Sequence, residues 1–362
     1  MNPRVLISPL LALLACSTAS AQGTPASTEE SSVSTRYSLA VIDDATFYSG
    51  APEHAPRILN QVLVEPNFGI RYKDRLTFST SLIGLSATYD HTASTLHVKE
   101  TYTGISAGDF DITAGRKMVR WGTGYAFTAA GVLDPPRVPT NPSDRLSTNQ
   151  GRDMIKADWV RGPHALTFAW STAEFAPPHS NLRDTAAFRY NVLVRGFDTS
   201  LIAGNDRGSD TFGALTFTRV VGQAWEVHGE AVWREQAAAL IGVKCTLHSG
   251  VTFMGEFYTP PNTPYYRDIS VSPSAGRQHY AMFYASKSRL RELPGWKEWD
   301  VSASIVSNLN DHSFVGVTDI SRWFGTHFTS YVHLEFPHGA RTSDFGAATH
   351  DTATSVGVRF HL

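Results

Sequence analysis

The last ten residues, Ala353-Thr-Ser-Val-Gly-Val-Arg-Phe-His-Leu362, put Val356, Val358, Phe360 and Leu362 on one side of an extended backbone. Ser355, Gly357, Arg359 and His361 fall on the other. Successive side chains of a strand point to opposite faces, so this segment has one apolar and one polar flank. The same period of two recurs along the chain. Trp225, Val227, Gly229, Ala231 and Trp233 oppose Glu226, His228 and Glu230; Val62, Val64, Phe68, Ile70 and Tyr72 oppose Glu65, Asn67 and Arg71. Ile155, Ala157 and Trp159 oppose Lys156 and Asp158, and Phe328, Val332, Leu334 and Phe336 oppose Tyr331, His333 and Glu335. Such a chain folds as sheet, and either a second sheet or lipid must cover the apolar flank.

Alternating segments run at 36–47, 59–72, 75–88, 94–105, 108–119, 152–161, 164–173, 186–195 and 197–204, and then at 211–219, 224–233, 238–247, 250–258, 279–288, 298–307, 312–320, 326–336 and 353–362. Each is close to the ~9–11 residues that a tilted transmembrane strand needs. The connections between them segregate. Tight turns at Lys73-Asp74, Ala107-Gly108, Gly162-Pro163, Arg195-Gly196 and Ser249-Gly250 alternate with long connections at 48–58, 120–151, 174–185, 259–278 and 337–352. Bacterial barrels keep short turns on the periplasmic side and long loops outside. The expected fold is therefore all-β, a transmembrane up-and-down antiparallel β-barrel of about 18 strands, with 16 the alternative. Only Arg289–Lys297 is a longish turn on the short side.

The ending also resembles the C-terminal targeting signal of bacterial outer-membrane β-barrels, where a glycine is followed at three and five positions by hydrophobic residues, as Gly357, Phe360 and Leu362 are. It departs from the commonest form in ending on Leu rather than Phe or Trp. The resemblance implies Gram-negative outer-membrane lipid as surroundings and the barrel-assembly machinery as a partner of Ala353–Leu362. At the other end, Arg4, an apolar run from Val5 to Ala15 and Ala19-Ser20-Ala21 have the layout of a cleaved secretory signal. The expected division is a signal over 1–21, a short periplasmic segment over 22–35 and the barrel over 36–362. A lipoprotein signal ending at Cys16 is the competitor, and Leu14 fits it poorly where a small residue is wanted. With the leader gone, Cys245 is a lone thiol and no intramolecular disulfide can form. Loss of Arg4 leaves 30 basic against 33 acidic residues, which excludes a basic nucleic-acid footprint.

The richest segment for chemistry is Gly115-Arg-Lys-Met-Val-Arg-Trp-Gly-Thr-Gly-Tyr125, with the stretch Gly131–Arg145 behind it. Prolines at 135, 136, 139 and 142 exclude a regular helix or central strand and predict a structured loop. Gly115-Arg116-Lys117 with Trp121-Gly122 resembles the Gly-Arg-Gln and Trp-Gly signature of several large outer-membrane channel families, including alginate-export-like porins; Lys117 stands where they prefer Gln. That resemblance implies a loop that folds into the barrel and narrows it. Arg116, Lys117, Arg120, Asp134, Arg137, Asp144, Arg145 and Arg152 would then line the pore and bind solute. Six basic against two acidic groups point to anionic or polyhydroxylated solutes. An exposed loop held by local salt bridges is the plain alternative.

Trp159, Trp170, Trp225, Trp233, Trp299 and Trp323 are the expected interfacial girdle. Two charges break the pattern: Glu100 is in phase with Leu96 and Val98, and Arg116 with Phe110 and Ile112, so a bulge or an interfacial position is required there. No phosphate-cradling loop, HExxH helix or Gly-x-Ser-x-Gly elbow occurs, and no cofactor or metal is expected. Asp43-Asp44, Asp90-His91 and Asp311-His312 offer acid and base neighbours, but strand neighbours face opposite ways. The expected function is passive diffusion of small hydrophilic solutes through a channel. Its rivals are a non-conducting barrel that binds polysaccharide or another partner through its loops and, behind it, a barrel lipase or protease.

Overall fold

The computed structural model describes residues 33–51, 57–89, 92–135, 137–140, 146, 148–174, 184–206, 211–234, 236–260, 278–290, 295–348 and 350–362. The expected leader, Asp90, His91, Asp144 and Arg145 lie outside them. The strands are β1 (Val33–Ser49), β2 (Ile58–Tyr72), β3 (Leu76–Thr88), β4 (Thr92–Ala107), β5 (Phe110–Lys117) and β6 (Arg152–Arg161). Next come β7 (His164–Thr172), β8 (Thr185–Val194), β9 (Phe197–Asp206), β10 (Thr211–Val221), β11 (Trp225–Trp233) and β12 (Ala238–Thr246). The last are β13 (Val251–Thr259), β14 (Tyr280–Lys287), β15 (Trp299–Asn308), β16 (Ser313–Phe324), β17 (Phe328–His338) and β18 (Thr352–His361).

Each strand pairs antiparallel with the next, and β1 pairs with β18 from Ala40 opposite His361 to Ser49 opposite Thr352. The sheet is thus a closed 18-stranded barrel whose first and last strands pair with each other instead of ending as open edges. At the tight turns Lys73, Asp74, Arg195 and Gly196 adopt positive φ, the geometry whose twist matches that of the flanking strands.

Alternation sorts the side chains. Phe188, Leu201, Ile241, Phe283, Ile305, Val356 and Val358 are exposed on the outer wall, while Ile42, Leu63, Ile83, Val232, Val306 and Val317 are buried on the inner one. Among the expected girdle residues, Trp170, Trp225 and Trp233 are exposed on the outer face. Trp159 and Trp299 share that face by register, opposite Phe110 and Arg322. Trp323 does not. It shares its face with Asp319 and Ser321 and donates Nε1 to Asp300 Oδ2 at 2.7 Å, so it points inward.

The two phase breaks have separate causes. Register shifts between Ser81 and Leu82, with Glu100 opposite Ser81 and Val98 opposite Leu82, so Lys99 is an extra residue on β4. This bulge turns Glu100 to the inner face and lets the buried Lys99 Nζ meet the part-buried Glu65 Oε1 at 2.9 Å. Arg116 has no such shift. It sits opposite Asp153 in the row that carries Ile155 and Ile112, on the outer face, where it forms a two-pronged pair with Asp153 at 2.6 and 3.2 Å.

The seam of the barrel is closed by side chains as well as by backbone. Tyr331, Gly357 and Asp44 occupy one inner-face row across β17, β18 and β1. A Cβ on Gly357 would lie 2.4 Å from Tyr331 Cζ, so only glycine lets the phenol cross β18. Its hydroxyl donates to Asp44 Oδ2 at 2.8 Å.

Candidate functional site

Past Lys117 the alternation stops, and the chain turns into the barrel. Residues 121–130 are held there by carboxylates of the far wall. β11 presents Glu226, His228 and Glu230 inward, and β13 presents Met254, Glu256 and Tyr258. Glu230 accepts Gly124 N at 2.7 Å through Oε1, and Ala129 N at 2.6 Å, Ala130 N at 2.7 Å and the Thr128 hydroxyl at 3.0 Å through Oε2. Glu256 accepts Tyr125 N through Oε1, and Ala126 N at 2.9 Å and Phe127 N at 3.2 Å through Oε2. Six loop N–H groups that no strand could pair are thereby satisfied by two charges, and such bonds are the stronger kind. The loop comes very close to the wall: a Cβ on Gly124 would fall 2.3 Å from Phe127 O and 2.7 Å from Leu240 Cδ1.

A third carboxylate braces the loop against itself. Asp134 accepts Trp121 N at 2.6 Å and Gly122 N at 3.2 Å, with Arg137 on its Oδ2 at 3.2 Å. Burial pushes this carboxyl up, against the opposing pull of Arg137 and the Trp121 N–H. Apolar contacts complete the seat. Phe127 stacks on Tyr258 with ring centres 5.1 Å apart and leans on Tyr280, against which Phe345 of the 339–351 connection packs edge-on. On the opposite side Leu146 packs against the cluster of Ile42, Leu63, Ile83 and Tyr331. The connection between β5 and β6 therefore spans the lumen.

His228 is wholly buried beside this clamp. Its Nε2 lies 3.0 Å from Glu256 Oε1, and the Tyr125 ring meets it edge-on at 5.4 Å. Gly242 makes room for it, because a Cβ there would lie 2.2 Å from His228 Nε2. Tyr125 in turn donates its hydroxyl to Glu226 at 2.9 Å and accepts from Lys244 Nζ at 3.1 Å.

The residues expected from sequence to line the pore divide. Arg120 is exposed and, with Arg137, lines a chamber under the loop. Asp134 is a brace with its side chain 1% exposed. Lys117 lies on the inner wall with Nζ 4.3 Å from the Tyr102 ring centre. Arg152, also on the inner wall and buried, donates Nη1 to Val132 O at 2.7 Å. Arg116 faces outward, so it does not join them. Sequence reasoning passed over Glu230, Glu256, Lys244, Arg359, Asp300 and Asp319. Their inward phase was readable for Glu230, but a lone acid in a polar row carries no sign of what it will hold.

The chamber has a volume of about 730 Å³ and sits toward the short-turn end, where its walls include Ser286, Ser288, Trp323, Thr329 and His361. Arg120, Arg137, Lys244 and Arg359 bring positive charge to it, and Asp300 and Asp319 negative charge. Asp319 Oδ1 lies 2.7 Å from His333 Nδ1.

No protein-family model matches the chain, and no curated protein matches it. Solved structures do. OccK3 (OpdO) of Pseudomonas aeruginosa is similar with a TM-score of 0.61 at 8% identity, over 91% of this chain and 95% of that one. OccK11 (OpdR) of the same organism gives 0.61 at 10% identity over 91% and 96%. A variant of the Rh. blastica porin gives 0.51 at 10% identity over 91% and 100%. At such identities the likeness is one of architecture, and the chain has the closed barrel fold of porins.

Proposed function

We propose that the protein is an outer-membrane channel for passive diffusion of small hydrophilic solutes, with the β5–β6 connection as its constriction. The observation that carries this reading is the loop hung on Glu230 and Glu256 across a closed 18-stranded barrel, above a chamber of about 730 Å³. An 18-strand ring is too wide for wall side chains to fill, so what remains of the lumen is set by what folds into it. The porin likeness and the alginate-export-like motif at Gly115–Trp121 support the same reading. Planar-bilayer recording tests it: purified protein should give steps of steady current, and a folded but silent barrel would favour the loop-binding rival.

Selectivity for anionic solutes follows from the chamber, where four basic groups stand against two acids. Fixed charge in a narrow, partly desolvated lumen decides which ions enter. Arg120 has no brace to hold and is the cleanest probe. Arg120→Glu should shift the reversal potential in a salt gradient toward cations, an anion-to-cation permeability ratio lowered about fivefold. No change in that potential would remove Arg120 from the solute path.

A further inference from the structure

The one turn that is long on the short side, between Lys287 and Trp299, carries its own arrangement. Trp296 and Trp299 lie with ring centres 5.0 Å apart, and Trp296 is 45% exposed. Arg322 leaves β16 on the outer face directly opposite Trp299. Its guanidinium carbon is 5.5 Å from the Trp299 ring centre and 4.9 Å from that of Phe324. Its Nε is buried without a hydrogen-bond partner. Arg289 and Lys297 flank the tryptophans, and among the described residues no carboxylate forms an ion pair with Arg289, Lys297 or Arg322. The nearby Asp300 points inward, committed to Trp323 Nε1 and Arg289 N at 2.7 Å each. Phe324 and Phe328, 48% and 45% exposed, lie on the turn side of Arg322, and away from the turn Ile305 and Phe283, 50% and 55% exposed, continue the apolar belt on the outer face.

Among the described residues of this patch three cations stand against one exposed carboxylate, Glu298, and a net positive patch at the border of an apolar belt calls for an anion that also has an apolar part. We propose that this patch binds the phosphodiester headgroup of an anionic phospholipid in the leaflet facing the short turns. Arg322 and Lys297 take phosphate oxygens, Trp296 and Trp299 lie at the glycerol level, and the acyl chains run toward Ile305 and Phe283. A guanidinium fixed between two rings offers its fork ready for phosphate, and paired tryptophans belong at headgroup depth. A free phosphate would leave the apolar surface at Ile305 and Phe283 uncovered. The inference rests on the outer-membrane reading but not on conduction.

The test uses purified full-length protein given equal phosphatidylglycerol and phosphatidylcholine in mild detergent, with retained lipid measured by mass spectrometry. The wild type should retain phosphatidylglycerol preferentially. The Arg322→Gln, Lys297→Gln variant should lose about fivefold of that preference per cation removed, and Arg322→Lys should restore only part. Heat-shifted gel mobility checks that each variant is folded. Equal retention of the two lipids by the wild type, an unchanged preference in the double variant, or displacement of phosphatidylglycerol by inorganic phosphate would overturn the proposal. Current through the same wild-type sample separates the outcomes: silence with lipid preference intact sinks only the channel, and current without preference sinks only the lipid site.

Discussion

Replacing Glu256 with leucine is expected to let residues 121–130 leave the lumen and to raise single-channel conductance severalfold. The carboxylate accepts three backbone N–H groups, from Tyr125, Ala126 and Phe127, and faces His228 Nε2. Each buried donor left without a partner costs roughly 1–3 kcal/mol. Three of them make the seated loop at least ~3 kcal/mol less favourable, which moves a two-state population by two orders of magnitude. The wall does not share this dependence, because β12, β13 and β14 stay joined by their own ladders. Adding Glu230→Leu should complete the release, since Gly124, Ala129, Ala130 and Thr128 then lose their acceptor too. Trypsin added from the loop side offers a second readout through Arg120 and Arg137, which become cleavable only when the loop is out. Unchanged conductance together with full protection would mean that the loop is seated by its apolar contacts alone.

The wall was legible because a closed barrel gives each side chain one of two surroundings, the outer of which is lipid on the proposed reading. A residue on the wrong face of a membrane strand meets hydrocarbon, and a one-residue slip exposes a whole polar row, so the period of two survives in the sequence with little noise. The segment predicted at 152–161 matches β6 in full, and most others agree to within a few residues. The failures were local exceptions that alternation cannot see. Lys99 is a single inserted residue, Trp323 is an aromatic ring kept on the wet face by Asp300, and Arg116 is an outward charge neutralised by Asp153. The site was less legible for a different reason. A tally of charge within one loop finds Arg120 and Arg137, but that loop is shaped by carboxylates about a hundred residues later in the chain, as for Ala129 and Glu230. The inward phase of Glu230 was on view from the start; the loop it holds became visible only with the closed ring.

The seam carries the second large effect. Gly357→Val is expected to lower the temperature at which the barrel gives up its folded mobility on detergent gels, with a loss of roughly 3 kcal/mol or more. The new Cβ would meet Tyr331 Cζ at 2.4 Å and the Asp43 carbonyl oxygen at 2.7 Å, and the second of these is backbone and cannot swing away. Tyr331 must then leave the row, breaking its bond to the buried Asp44 and opening the cluster with Ile42, Leu63 and Ile83. Tyr331→Phe separates the two contributions, since it removes the hydroxyl and keeps the packing; it should cost less than half as much. Because β1 and β18 are the first and last strands, this row of three residues adds side-chain contacts at the join where the ring closes. If Gly357→Val melts with the wild type, the backbone ladder alone closes the barrel and the Tyr331–Asp44 row adds nothing to the join.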